Sequence, residues 1–286
     1  MGLHMSKKEF SGRDFFIRHT VENDQPHNNT KTDHFNATES IMILIKGKGV
    51  YCLEGNRYPL SDGDVVVMGM DTVHSFRFEE TGFHERLSIY FSSSILSPFW
   101  EHELPVMEMF RVQASGHCSC YSPGEYHPKE LDTVVSELCR LTDLQYDTHT
   151  AMDEARIHML ILRLLFLLYD CYEKQKFSGT VHANPNTDVM VICRYIKEHF
   201  TEDLSYSTIQ NKFFVSRYFL SVVFRQNTGL TLTEYILHTR LLKVNALVQQ
   251  GYGLVNAASM AGFKNYSNFY KEFKKHRNIS PKEYYR

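Results

Sequence analysis

Two stretches near the C-terminus carry basic and hydroxyl-bearing side chains at helical spacing, a chemistry suited to nucleic acid. With the apolar positions set aside, the face of the first stretch consists of Arg217, Tyr218, Ser221, Val222 and Arg225. The face of the second consists of Tyr266, Ser267, Tyr270, Lys271 and Lys274. Arg, Lys, Ser and Tyr donate hydrogen bonds to phosphates and base edges, and a valine packs well on a thymine methyl. The pattern favours a DNA-reading surface; the alternative is a solvated basic face on an ordinary helical bundle.

A second set of reactive side chains lies in the N-terminal half, where His34, Glu39 and His74 are potential metal ligands. Imidazole and carboxylate groups hold iron, manganese or zinc in open sites. The set resembles the metal site of cupin enzymes, which combine two His two residues apart, a Glu four or five residues further on, and a late His. Here Asn36 occupies the second His position, and Glu39 follows it after only three residues. We therefore predict no catalytic residues, no metal and no other cofactor. The three side chains are expected either to line a polar effector pocket or to be satisfied residues of a barrel.

Charge divides the chain into two unlike parts. The 286 residues carry a net charge of -2. Residues 186–286 hold 14 Lys and Arg against 7 Asp and Glu, a net of +7, so the remainder has a net of -9. A basic domain joined to an acidic one predicts that the C-terminal third meets a polyanion. Charge alone leaves nucleic acid, an anionic membrane and an acidic protein open.

Length and composition are those of a globular chain of about two domains. The chain contains no run of about 18 apolar residues, so we predict no membrane span. The N-terminus lacks the apolar segment of a signal peptide. None of the six cysteines forms a C-x-x-C pair, which fits reduced thiols. Cys118 and Cys120 are the closest pair, interpreted as loop thiols, with a redox or soft-metal site as the alternative. We expect a cytoplasmic protein.

The positioning elements change type along the chain. Residues 10–112 contain short β-runs, such as 40–45, 50–54 and 65–68, and glycine-containing turns about ten residues apart separate them. This spacing predicts an antiparallel barrel or sandwich. From Pro128 the apolar period is helical.

Two further signals complete the organisation of the chain. Thr150 and Asp153 predict a capping box that opens a second helix running to about Glu173. Residues 177–186 contain Gly, Pro, Ser and Asn without a period, which predicts a linker. The expected fold is α+β, with domains at 10–176 and 187–286, the second one all-α.

The last hundred residues contain an internal repeat with an offset of 49. Phe224-Arg225 matches Phe273-Lys274, and Glu234-Tyr235 matches Glu283-Tyr284. Each copy begins with a short helix, a turn and a second helix. Ser216 and Asn265 are the expected N-caps of the two second helices. This order predicts two helix-turn-helix units.

The C-terminal hundred residues resemble the AraC/XylS transcription regulators. The most specific stretches are 261–275 (AGFKNYSNFYKEFKK) and 279–284 (ISPKEY), together with Gly229-Leu230 and Glu234-Tyr235-Ile236. The resemblance implies seven helices that place two recognition helices in successive major-groove segments of double-stranded DNA. The chain departs from the family pattern at four positions, mostly in the first unit: Gln210, Phe214, Val222 and Asn278.

The N-terminal half is similar to the cupin-like sensor barrel of the same family. Glu39, the glycines 47 and 49, the turn 62–64 and His74 carry this similarity. It implies a domain that binds a small effector, often a sugar, and dimerises, in a regulator that contacts RNA polymerase and activates transcription. His34, Glu39, His74 and Trp100 are the expected effector contacts, although a lone tryptophan is also common in a core. The alternatives are a metal-dependent cupin enzyme and a regulator that responds to a fatty acid, another metabolite or a partner protein.

Overall fold

The computed structural model describes residues 5–24, 38–53, 55–69, 74–78, 82–99, 105–111, 120–122, 128–144, 149–178, 184–277 and 279–285. Within these ranges, the N-terminal half is built from antiparallel strands, as the turn spacing predicts. The strands are β1 (Met5–Ser11), β2 (Phe15–Asp24), β3 (Glu39–Lys46), β4 (Gly49–Leu53), β5 (Asn56–Leu60), β6 (Val65–Met68), β7 (His74–Phe78), β8 (Gly82–Phe91), β9 (Cys120–Tyr121) and β10 (Asn184–Pro185).

The strands form two sheets. One has the order β1-β2-β8-β3-β6-β9, and the other has the order β10-β5-β4-β7. One apolar cluster, which includes Met42, Leu44, Tyr51 and Phe76, fills the space between the sheets. The other face of the six-stranded sheet packs its apolar residues against helices. Both faces of this sheet are therefore apolar.

The helices of the N-terminal half cover the outer face of the six-stranded sheet. They are α1 (Glu108–Arg111), α2 (Pro128–Thr142) and α3 (Ala151–Ser178). Thr150 and Asp153 form the predicted reciprocal cap at the start of α3, since the Asp153 amide donates to Thr150 Oγ1 at 3.2 Å and the Thr150 amide to Asp153 Oδ2 at 3.1 Å. Helix α3 extends about five residues beyond the predicted end at Glu173, and thus two residues into the predicted linker. Among the described residues, no helix has the length and apolar character needed to cross a membrane.

The C-terminal part is all-α, as predicted. Its helices are α4 (Thr187–Glu198), α5 (Tyr206–Phe213), α6 (Phe224–Thr228), α7 (Leu232–Gln249), α8 (Leu254–Met260), α9 (Tyr266–Arg277) and α10 (Pro281–Tyr284). Residues 217–223 are helical as well and lead directly into α6, with a π-helical stretch at Phe219–Val223. We call residues 217–228 the first recognition helix and α9 the second recognition helix. Their buried side chains share one core with α4, α5, α7 and α8.

Candidate nucleic-acid interface and ligand cavity

The first helix-turn-helix unit consists of α5, a three-residue turn and the first recognition helix. Ser216 caps the recognition helix as predicted, because its hydroxyl accepts the Phe219 amide at 3.0 Å. The turn begins at Phe214, whose φ of 54° is the left-handed conformation. The family has glycine near this position, and a β-carbon makes the conformation costly by roughly 1–2 kcal/mol. Phe214 is 95% exposed, so no packing offsets that cost.

The second unit consists of α8, a turn and the second recognition helix. Gly262 takes the left-handed conformation here, with a φ of 85°. Asn265 is the predicted cap, and its Oδ1 accepts the Asn268 amide at 2.9 Å. Phe269 and Phe273 anchor the helix in the core.

The internal repeat is visible as duplicated hydrogen bonds. The caps Ser216 and Asn265 are 49 residues apart. Thr231 with Glu234 and Ser280 with Glu283 form two complete capping boxes at the same offset. The two units are therefore built by the same local chemistry.

The predicted DNA-reading side chains are mostly at the surface. The exposed members of the set are Arg217, Tyr218, Ser221, Arg225, Ser267, Tyr270, Lys271 and Lys274. Val222 and Tyr266 are half-buried, and the Tyr266 ring packs 5.5 Å from that of Phe269. Tyr266 is consequently part of the core that supports the helix as well as a candidate contact.

Arg240 is a supporting residue whose role the sequence did not reveal. It lies on α7 between the two units, and its Nε donates to the Phe200 carbonyl at 2.8 Å. Its Nη2 donates to the Glu202 carbonyl at 2.9 Å. These bonds fix the segment that follows α4 to the long helix that joins the two units.

A partly open cavity lies between the two sheets. Polar and aromatic side chains on the inner sheet faces surround it: Ser40, Tyr51, His74, Phe76, Arg86, Ser88 and Tyr90, with Ile41, Met42 and Met68. Apolar walls with a few convergent polar groups are typical of sites that bind small molecules.

Of the four predicted effector contacts, His74 lines this cavity. Glu39 is buried but is not among the lining residues, and its pairing with Phe91 places it on the helix-facing side of β3. His34 and Trp100 lie outside the described residues. Within the described chain, Glu39 and His74 thus do not converge on one metal position.

Arg86 is the cavity residue that the sequence analysis missed. It is 8% exposed, and its Nη2 lies 3.3 Å from Oε1 of the buried Glu22. Within the described residues, Arg86 Nη1 and Glu22 Oε2 have no hydrogen-bond partner. Burial lowers the pKa of Arg86, and the Glu22 carboxylate opposes that shift. A buried cation with a spare donor is a specific recognition group for a polar ligand. Its signal in the sequence was an arginine alternating with Leu87 and Ile89 on β8.

The four-stranded sheet contacts the end of the first recognition helix. On β7, Ser75 Oγ donates to the Thr228 carbonyl at 2.9 Å, and Arg77 Nη2 donates to the Arg225 carbonyl at 2.8 Å. Gly229 ends the helix with a φ of 75°. A β-carbon there would lie 1.7 Å from Ser75 Oγ, so the close approach requires glycine.

Comparison with known proteins decides the family. The model of the AraC-like ligand-binding domain matches residues 19–161, half of the chain, and a helix-turn-helix domain model matches residues 209–286. The chain belongs to the AraC/XylS family. It is a DNA-binding transcription regulator with an N-terminal ligand-binding domain, and the resemblance seen in the sequence is confirmed.

Individual AraC-family regulators are distant from this chain. It is 23% identical to the uncharacterized regulator YbfI of Bacillus subtilis, over 82% of this chain and 80% of that protein. It is 22% identical to the transcriptional activator RhaS of Salmonella heidelberg, over 88% and 86%. Among solved structures, ToxT of Vibrio cholerae aligns over 100% of this chain and 98% of its own, with a TM-score of 0.41 and 14% identity.

Proposed function

We propose that this AraC-family regulator is a cytoplasmic homodimer that activates transcription when a small carbohydrate fills the cavity between its sheets. The observation that carries the proposal is the double role of β7. His74 and Phe76 line the cavity, whereas Ser75 and Arg77 on the opposite face hold the first recognition helix. A ligand that moves this strand therefore acts on the DNA-reading unit directly.

In this proposal, residues 187–286 read DNA through the two recognition helices. Residues 10–176 sense the effector and dimerise, and residues 177–186 link the two. The contacts are Arg217, Tyr218, Ser221, Val222, Arg225, Tyr266, Ser267, Tyr270, Lys271 and Lys274. The first residues of a recognition helix reach base edges in the major groove. Arg225 is at the opposite end, where the sensor sheet holds the backbone, which makes it a phosphate contact that the sensor can reposition.

The cavity chemistry supports a carbohydrate. Ser40, His74, Arg86 and Ser88 provide the donors and acceptors that ring hydroxyls require, and the ring of Tyr90 is a surface for C–H groups. A ring hydroxyl in the cavity would accept a hydrogen bond from Arg86 Nη1.

A second candidate ligand is a small carboxylic acid. The unpartnered Nη1 of Arg86 favours it, because guanidinium groups bind carboxylates with strong, charge-assisted bonds. The neighbouring Glu22 carboxylate repels an anion, and we therefore rank the neutral carbohydrate first.

Dimerisation is supported by an apolar stripe on α3. Met152, Met159 and Phe166 repeat every seven residues and are 62%, 71% and 39% exposed. Residues seven apart lie nearly on one helical face, as in helix–helix seams. A second copy of the chain, presenting the same stripe, would cover it.

We propose no enzymatic activity for the ligand-binding domain. The relatives named above are regulators, and the described residues do not assemble the cupin metal set. Metal-dependent oxygenase or isomerase turnover by the purified protein would refute this.

The effector is tested by thermal unfolding of the full-length protein, in the presence of a chelator, against neutral sugars, sugar acids and fatty acids. A ligand at about 100 times its dissociation constant adds about 2.7 kcal/mol, which raises the melting temperature by several degrees. A shift with a neutral sugar that disappears in Arg86→Gln supports the proposal. A shift with carboxylates alone supports the second candidate. A panel without any shift contradicts both.

A further inference from the structure

Four side chains that bind metals in other proteins meet on the helix-facing side of the six-stranded sheet. His19 lies on β2, Glu85 lies on β8, and Cys139 lies in the last turn of α2. Asp143 follows that helix directly, and its amide donates to the Cys139 carbonyl at 2.9 Å, which keeps both side chains on one helical face. The cluster is on the opposite face of the sheet from the ligand cavity.

Three of the four groups are within reach of one another, and Asp143 contacts His19 from the other side of its ring. His19 Nδ1 lies 2.8 Å from Asp143 Oδ1, and His19 Nε2 lies 2.9 Å from Glu85 Oε1. Ligand atoms of His19, Glu85 and Cys139 all lie within 4.8 Å of each other. Ligands of a tetrahedral zinc, about 2.0–2.3 Å from the metal, are roughly 3.3–3.8 Å apart. If the ligand atoms move about 1 Å closer together, they reach the spacing of ligands around a zinc ion.

The His19 ring lies between two carboxylates. Ionised Glu85 and Asp143 only accept hydrogen bonds, whereas a neutral imidazole has one N–H to donate. With a metal ion at Nε2, the imidazole keeps its one N–H at Nδ1 for Asp143, which is the carboxylate–histidine–metal arrangement common in protein metal sites.

The cluster also contains two carboxylates, those of Glu85 and Asp143. Lys46 pairs with Glu85 across the strands, but its ammonium group is hydrogen-bonded to Asp62 at 2.9 Å. A divalent cation would neutralise the two carboxylates and stabilise the thiolate.

We propose that His19 Nε2, Glu85 and Cys139 bind a zinc ion, with Asp143 orienting the imidazole from behind. Thiolate, imidazole and carboxylate together match zinc, and three protein ligands leave one position for water. The ion fastens α2 to β2 and β8, and so makes the packing of the helices on the sensor sheet depend on metal. Sequence spacing gave no sign of this site, because Glu85 is 66 and Cys139 is 120 positions from His19. The proposal is independent of the carbohydrate effector.

Cobalt(II) is the probe, since it replaces zinc and reports its ligands. Full-length protein, stripped of metal with a chelator, is titrated with Co²⁺ without effector. We expect one equivalent to bind, with the visible bands of four-coordinate cobalt and a near-ultraviolet thiolate-to-cobalt band. The thiolate band should disappear in Cys139→Ala and persist in the matched control Cys171→Ala, whose buried thiol lies on α3. An unchanged thiolate band in Cys139→Ala, or no stoichiometric binding to the wild type, overturns the proposal.

Two further variants test the remaining ligands. Glu85→Gln should weaken Co²⁺ binding, and Asp143→Asn should retain the spectrum with about 10- to 100-fold lower affinity. Zn²⁺ should raise the melting temperature of the wild type but not that of Cys139→Ala, and circular dichroism checks that each variant folds. Binding that survives His19→Gln but is lost in His74→Gln would place the metal in the cavity and overturn the proposal.

Discussion

Ser75 donates its hydroxyl to the backbone carbonyl of Thr228 at 2.9 Å, and so joins a strand of the ligand cavity to the last turn of the first recognition helix. Carbonyls at the end of a helix lack partners within the helix. Ser75 of the sensor domain supplies such a partner, and Arg77 adds a second donor one turn earlier, to the Arg225 carbonyl that also accepts the Gly229 amide. The positive guanidinium also lies at the end of the helix where the dipole favours a cation.

The close approach of the two domains depends on Gly229. We predict that Gly229→Ala lowers the melting temperature by more than Gly251→Ala does. Both glycines have positive φ, but a β-carbon at position 251 meets nothing within 4 Å, whereas at 229 it meets Ser75. The control variant Gly251→Ala therefore has only the backbone cost of a β-carbon at positive φ, roughly 1–2 kcal/mol. Equal shifts in a thermal scan would show that the contact between the domains is loose in solution.

Phe214 is a strained residue without compensating contacts. Replacing it with glycine should stabilise the protein by about 1 kcal/mol, because glycine takes a φ of 54° without steric cost. Some of the gain is lost to the greater chain entropy of glycine in the unfolded state. Urea unfolding of Phe214→Gly beside the wild type measures this. Destabilisation would mean that the phenyl ring contributes a contact in solution.

Contacts to bases and to phosphates should differ in their selectivity. Arg217→Ala and Lys271→Ala should each cost roughly 1–3 kcal/mol of DNA affinity if they read a base, with relaxed specificity. Lys274→Ala should weaken binding evenly across sequences and make the salt dependence shallower. Arg163→Ala, a surface arginine on α3, is the control. Competition binding with variant duplexes measures all four. Unchanged affinity in the three test variants would refute the assignment of the recognition helices.

The apolar stripe on α3 should control the oligomeric state. Met159→Lys places a charge in the centre of the stripe and should shift the protein from dimer to monomer. Met260→Lys alters a methionine that is 44% exposed on α8 and should leave the dimer intact. Sedimentation velocity distinguishes the two. A dimer that withstands Met159→Lys would place the interface elsewhere.

Local chemistry made much of the fold predictable. Ser216, Asn265 and the Thr150–Asp153 pair were found as caps because a cap depends on residues three positions apart. Both ends of the strand at 65–68 were predicted correctly, because β-branched residues follow a turn that contains Gly63 with a φ of 84°.

Long-range pairing was not predictable from one sequence. Register between β2 and β8 brings Glu85 beside His19, and no local pattern encodes that register. The predicted linker proved to contain β10, which pairs with β5 only because the C-terminal part folds back against the sheet. Alternation with Leu87 and Ile89 places Arg86 on the other face of its strand, and alternation alone does not reveal that this face is covered too.

The most direct test of the account compares DNA affinity with and without effector in the wild type and in Arg77→Ala. The probe is a duplex selected from a random library, the ligand is the carbohydrate with the largest thermal shift, and fluorescence anisotropy gives the dissociation constants. Coupling energies between sites typically correspond to about 5- to 150-fold changes in affinity. We predict a change in this range for the wild type and for Arg163→Ala, and little or none for Arg77→Ala, which still binds the ligand. A full response in Arg77→Ala would show that the signal does not pass through the contact between Arg77 and the first recognition helix.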